Sequence, residues 1–320
     1  MRIRIPSSDR KWAAAMTGVA IAWLGVSAFS LQTAASPRPG PKTFDTPQQA
    51  ADALVQAAQA DDVAAIVAIF GPDGKDIVPS GDPVQDKNDI EKFAERAREK
   101  LAISFSLGNP NQAVLVIGDD DWPMPVPVVK RGGKWQFDAK QGKEEILARR
   151  IGNNELEAIA LLRGYVEAQE EYASEKRDGS PMLQYAQKWV SSPGKQDGLS
   201  WRNADGTPGG PVGDEIGELL AKGYTDKGAP INGYYFRTLT AQGPAAPLGA
   251  RDYIVNGMMI GGFAAIAWPA NYGVTGVQTF QVNNDGIVYQ KDLGPETAKT
   301  APSIKRYNPD KAWLATEDEL

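Results

Sequence analysis

GGFAAIAWPANYGVTGVQTFQVNNDGIVYQKDLG, residues 261–294, decides how the later part of this chain folds. β-Branched and aromatic residues fill it, and it predicts three consecutive strands at 261–268, 274–282 and 287–291. The last two are joined by Asn283-Asn284-Asp285-Gly286, residues that tolerate positive φ and so suit a tight turn. Calcium takes about six to eight oxygens, more than one short acidic turn supplies, so this is a turn and not a cation loop.

Working outward, strands are expected at 233–239 and 252–255, on either side of a Pro/Gly loop. Residues 174–229 are rich in Gly, Pro, Asp, Ser and Lys, with short helices expected at 183–190 and 214–221. Within them SSPGKQDG, residues 191–198, lacks the leading Gly of a phosphate loop, a Ser or Thr after Lys195, and a preceding strand; it reads as a surface turn. Upstream, Asn154 caps a helix with Glu157 at the capping-box position. Ala158, Leu161, Tyr165, Ala168 and Tyr172 form its apolar stripe, the pattern of a helix lying on a sheet. A short connecting helix is expected at 142–150, ended by Gly152.

The earlier part reads as helices followed by strands. Thr46 caps a first helix with Pro47 in its first turn and Gln49 at the capping-box position. A second helix carries Val63, Ile66, Val67 and Phe70 up to Gly71, and a third starts at Asn88-Asp89. The period then switches to two, giving strands at 103–107, 113–117, 126–130 and 134–138, with Gly132-Gly133 turning the last pair. The chain is therefore expected to be α+β in two units. The first, 44–150, puts helices on one face of a curled antiparallel sheet, and the second, 151–295, puts a long helix on another. A tail, 296–320, is anchored by Trp313 and frays at its acidic end.

Composition removes whole classes of chemistry. The chain has no Cys and no His, which excludes thiolate nucleophiles, zinc–thiolate sites, catalytic triads and His-ligated metals. No cofactor and no metal site is expected. With a net charge of −6 and no basic stripe beyond the first residues, nucleic acid is not an expected partner.

Those first residues read as a leader. Arg2, Arg4, Arg10 and Lys11 precede an uncharged stretch over 12–31, followed by small residues up to Ala35 and a Pro-rich run at 37–41. This is the layout of a signal peptide over 1–35, cut after Ala35, with 36–43 as a linker. The apolar stretch is long, so an uncleaved inner-membrane anchor is the alternative reading. Either places the body in the periplasm or outside the cell, touching membrane only through an uncleaved leader.

Several long segments carry a family resemblance: DDWPMPVPVVKRGGKWQFD (120–138), RRIGNNELEAI (149–159), YVEAQEEYA (165–173), YAQKWVSSPGKQDGL (185–199), GYYFRTLTAQG (233–243) and residues 263–294. Together they resemble the bacterial domain-of-unknown-function family numbered 2950, whose proteins have no assigned activity; the resemblance implies a cell-envelope protein. The helices-then-sheet order ending in VVKRGGKWQFD (128–138) resembles the nuclear-transport-factor-2-like cone, a fold that often holds a ligand pocket and hosts enzymes and binding modules alike. The later unit is similar to globular heads of type IV pilin-like and pseudopilin proteins: Ala168-Gln169 with Tyr172, Gly233-Tyr234 with Phe236, Ala267 with Pro269, and Thr279-Phe280 with Gly286. It departs from them in having a whole domain before the head helix and no prepilin cleavage site.

Three functions follow as expectations. The preferred one is a non-catalytic module binding an envelope protein or a small ligand, with Tyr234, Tyr235, Trp268 and Tyr272 as candidate contacts. The second is a His-free enzyme in the cone pocket. Asp119, Asp120 or Asp121 would be its base, Arg149 or Arg150 would stabilise an anion, and Trp122 would sit at the rim; one carboxyl would have to be buried enough to raise its pKa. Against it, an acidic run is ordinarily a solvated loop. The third is an assembly factor of a secretion or pilus-like system, docking through the later sheet.

Overall fold

Thr46 and Pro47 start the first helix as their chemistry requires. The Thr46 hydroxyl accepts the Gln49 N–H at 3.1 Å, and Pro47 needs no donor in the first turn. The computed structural model describes residues 40–77, 83–212 and 230–316. The leader at 1–35, the start of the linker, the helix expected at 214–221 and residues 317–320 lie outside the described residues.

Helices α1 (Pro47–Gln59), α2 (Val63–Phe70) and α3 (Pro83–Glu99) come first. α3 begins before the expected Asn88, because Pro83 suits a first turn and fixes the start there. Strands β1 (Leu101–Ser106), β2 (Asn109–Ile117), β3 (Trp122–Pro123), β4 (Val128–Arg131) and β5 (Lys134–Phe137) form an antiparallel sheet in the order β1-β2-β4-β5, with β3 also on β2. Gly132 and Gly133, both at positive φ, turn β4 into β5 as expected. Ala113, Leu115, Val128, Trp135 and Phe137 point from the sheet into a core shared with Leu54, Ile66, Phe70 and Ile90.

A single helix, α4 (Ala139–Ala173), then runs 35 residues. The break expected at Gly152 is absent. One interior glycine costs a helix only about 1 kcal/mol, and side-chain bonds on either side of Gly152 fix the helix to the first sheet and to the loop before β14: Arg149 donates to the Pro123 carbonyl, and Asn154 to the Thr275 carbonyl. The division expected at residue 150 therefore falls inside a continuous helix, and the described residues belong to one compact unit with two hydrophobic clusters.

After α4 come β6 (Trp201–Arg202) paired with β7 (Pro208–Gly209), β8 (Tyr234–Leu239), β9 (Ala241–Gln242) paired with β10 (Arg251–Asp252), and β11 (Ile254–Val255) paired with β12 (Met258–Met259). β13 (Ala264–Pro269), β14 (Gln278–Asn283), β15 (Tyr289–Asp292) and β16 (Leu314–Ala315) complete a second antiparallel sheet, ordered β16-β15-β14-β13-β8. The long helix expected to lie on this sheet does so through Ala158, Leu162, Tyr165 and Tyr172. Tail residue Trp313 is buried, and β16 extends the sheet behind it.

Three expectations fail locally. The strand expected at 252–255 divides into β10 and β11, which pair with different partners. Residues 183–190 are not helical: Ala186 gives its N–H to the Gln169 carboxamide and accepts from it in return, both at 2.8 Å, while Tyr185 bridges to Met259. The fully buried Gln169 thus takes the groups a helix would have used. Residues 274–277 belong to a loop, held by the Thr275 N–H on the Asn271 carbonyl, and not to β14.

Candidate functional site

The helices of the first region do not close completely on their sheet. A pocket of about 340 Å³ remains between Leu54 and Ala58 of α1, Ile66 and Phe70 of α2, Ile90 and Phe93 of α3, Ile146 of α4, and Trp122 of β3 with Met124, Pro125 and Val126 after it. Among the described residues, Asp89 is the one charged member of its lining. The volume lies at the lower end of the range for small-molecule sites, whose walls are mainly apolar.

Trp122 stands at its edge. β3 places it opposite Ile117, and the guanidinium groups of Arg96 and Arg149 each lie 5.5 Å from its ring centre. Arg149 is further fixed by Glu145 at 2.8 Å and by the Pro123 carbonyl at 2.7 Å. Arg150, its neighbour on α4, is exposed; the two expected anion-binding cations therefore diverge, as consecutive helical residues must.

The aspartates before Trp122 form the β2–β3 turn. Asp121 adopts a positive φ of 54°, and its N–H closes the turn onto the Gly118 carbonyl at 3.1 Å. Gly118, at φ 74°, leaves room for Arg96, whose Nε would lie 3.0 Å from any Cβ there. Arg96 pairs with Asp120, and Lys100 with Asp121 at 2.6 Å. The bond and charge of Asp121 raise the Lys100 pKa. All three aspartates are exposed, so the burial that carboxylate chemistry requires is not met. In this turn Asp120 and Asp121 tie the end of α3 to the sheet.

The aromatic candidates are dispersed in role. Tyr234 is fully buried, donates to the Gln278 carbonyl at 3.0 Å, and has its hydroxyl pKa pushed up by burial and by Glu155. Trp268 is buried too, with Tyr235 packed at 5.7 Å and Arg237 over it at 5.5 Å. Tyr234 and Trp268 are thus core residues and not surface contacts: Tyr234 pairs with Pro269 and Trp268 with Tyr235, which puts the two on opposite faces, and β13 is buried on both. Tyr272 is half-buried and donates to Asp292 at 3.1 Å. None of the four lines the apolar pocket.

The phosphate-loop-like run is a turn, as expected, with Gln196 tied to Tyr172 and Asp178. Asp197 accepts from the Ser192 N–H, the Ser192 hydroxyl and Lys188, which folds the run back on itself. Sequence reasoning missed Arg96 and the pocket lining. Leu54, Ile66 and Phe70 carry the same periodicity whether they meet another side chain or a void.

The model of the family described as "Protein of unknown function (DUF2950)" matches residues 41–316. The chain belongs to the DUF2950 family. No curated protein matches it, and no solved structure matches it. Membership covers every element named above from α1 to β16, including the pocket, the acidic turn and both sheets.

Proposed function

We propose that this DUF2950 chain is an exported, non-catalytic binding protein of the cell envelope that holds a small, neutral, apolar ligand between α1, α2 and α3 and the first sheet. The carrying observation is the pocket of about 340 Å³, with Asp89 the one charged residue of its lining among the described residues. Water gains little from such walls, whereas an apolar guest gains the burial energy of its own surface. The reading agrees with the ligand-holding cone that the helices-then-sheet order resembles, and with the leader-like first residues. The pilin-head resemblance of the later sheet supports a structural role for that region. Ion-paired, exposed aspartates give no support to the enzymatic alternative.

Titration of the full chain with a neutral apolar fluorophore such as N-phenyl-1-naphthylamine tests the reading. Saturable binding that Ala58→Phe abolishes is expected; binding unchanged in that variant overturns it. Osmotic-shock fractionation tests export, and recovery of the folded chain from cytosol alone would contradict it.

A further inference from the structure

The two edges of the first sheet are built differently. At β5 the edge is closed: Phe44 exchanges backbone hydrogen bonds with Trp135 at 2.7 and 2.8 Å, and Lys130, Arg131 and Lys134 stand beside it. At the opposite edge, β1 reads LAISFS, with no charge and no proline, and among the described residues it pairs with β2 alone. Proteins ordinarily protect a free edge with charge, proline or a bulge, because its open amides accept another strand. The one irregularity of β1 comes at its end, between Phe105 and Ser106, and leaves 101–105 regular. Phe105 is 53% exposed, and Leu107 at the hairpin tip is fully exposed.

The direction of the free amides follows from the register. The Gly118 N–H reaches the Lys100 carbonyl at 3.1 Å, one step beyond the pair Leu101–Ile117. Hydrogen-bonded positions alternate along an antiparallel ladder. Ala102 and Ser104 therefore spend their backbone groups on β2, while Leu101, Ile103 and Phe105 aim theirs at the open edge.

We propose that β1 is a homodimer seam. The β1 strand of a second copy pairs with it antiparallel about a two-fold axis at Ile103, joining the two sheets into one. This register sets Leu101 opposite Phe105 of the second copy, so the apolar row on the helix-covered face continues across the seam. The other face meets through Ala102 and Ser104, both small. A second copy is the occupant because the strand complements itself: every outward amide finds one, and no charge lies within the seam to repel its twin.

Cysteine cross-linking of the full chain tests this, since the chain has no cysteine of its own. Directly opposed residues in such a pair lie within disulfide reach. Ile103→Cys is expected to give a disulfide dimer on mild oxidation, and the exposed control Ser303→Cys none. Adding Ser104→Lys places like charges across the seam and should remove the band. Mixing that double variant with Ile103→Cys/Ser104→Glu should restore it. Sedimentation of the wild-type chain should show a dimer that Ser104→Lys alone dissociates. A monomeric wild type, or an Ile103→Cys band no stronger than the control, overturns the proposal.

Discussion

The Arg149 guanidinium lies 5.5 Å from the centre of the Trp122 ring and donates to the Pro123 carbonyl at 2.7 Å. Through this contact α4, the helix that also packs on the second sheet, holds the wall of the apolar pocket. Replacing Arg149 by Ala is expected to cost about 2–4 kcal/mol, the sum of a charged hydrogen bond and a partly exposed cation–π contact. Lys at 149 keeps the charge but not the planar fork, and should recover only part of the loss. Urea unfolding midpoints of the variants check the order.

Next to Asn154 on α4, Glu155 accepts the Val277 and Gln278 N–H groups at 2.8 and 3.0 Å. Glu155→Ala leaves two half-buried donors without an acceptor and is expected to cost about 1–3 kcal/mol. Glu155→Gln keeps a carbonyl acceptor and should cost less. Amide hydrogen exchange at Val277 and Gln278 should rise in the Ala variant and far less in the Gln variant.

Gly276 is required by close approach. A Cβ there would fall 2.0 Å from the Tyr234 hydroxyl, inside the core. Gly276→Ala should destabilise by about 1–3 kcal/mol through overpacking. Combining it with Tyr234→Phe, which removes the clashing oxygen, should recover part of that loss in thermal melts.

Burial of Asp197 works to raise its carboxyl pKa, but bonds from Lys188 and Ser192 outweigh this and hold it at about 2, below the usual 3.8. Its stabilisation is therefore present above pH 3.8 and is lost as pH falls toward about 2. Allowing for solvent screening, the term is on the order of 1 kcal/mol. Asp197→Asn should lower stability at pH 7 by that amount and flatten the acid limb of the stability profile between those values.

Local chemistry made much of the fold legible. Thr46, Pro47, Gly71 and the Gly132-Gly133 pair mark element ends through the backbone angles and caps they favour, and those marks hold. Gly152 misled because helix propensity is weak beside tertiary bonds, and Asn154 and Glu155 serve the second sheet instead of capping a new helix. Residues 183–190 misled because the acceptor and donor that unmake their helix come from Gln169 on α4. The site was less legible. Asp119, Asp120 and Asp121 stood out by composition, yet their partners Arg96 and Lys100 lie more than twenty residues upstream. A pocket is a gap between elements, and no periodicity encodes how tightly three helices close on a sheet.

The most direct test of the binding reading is the thermal unfolding of the wild-type and Ala58→Phe chains with and without N-phenyl-1-naphthylamine. The wild type should gain about 2.7 kcal/mol at a ligand concentration one hundred times the dissociation constant, and Ala58→Phe should gain nothing while melting cooperatively on its own. A wild-type chain that neither binds the fluorophore nor shifts its melting temperature contradicts the account.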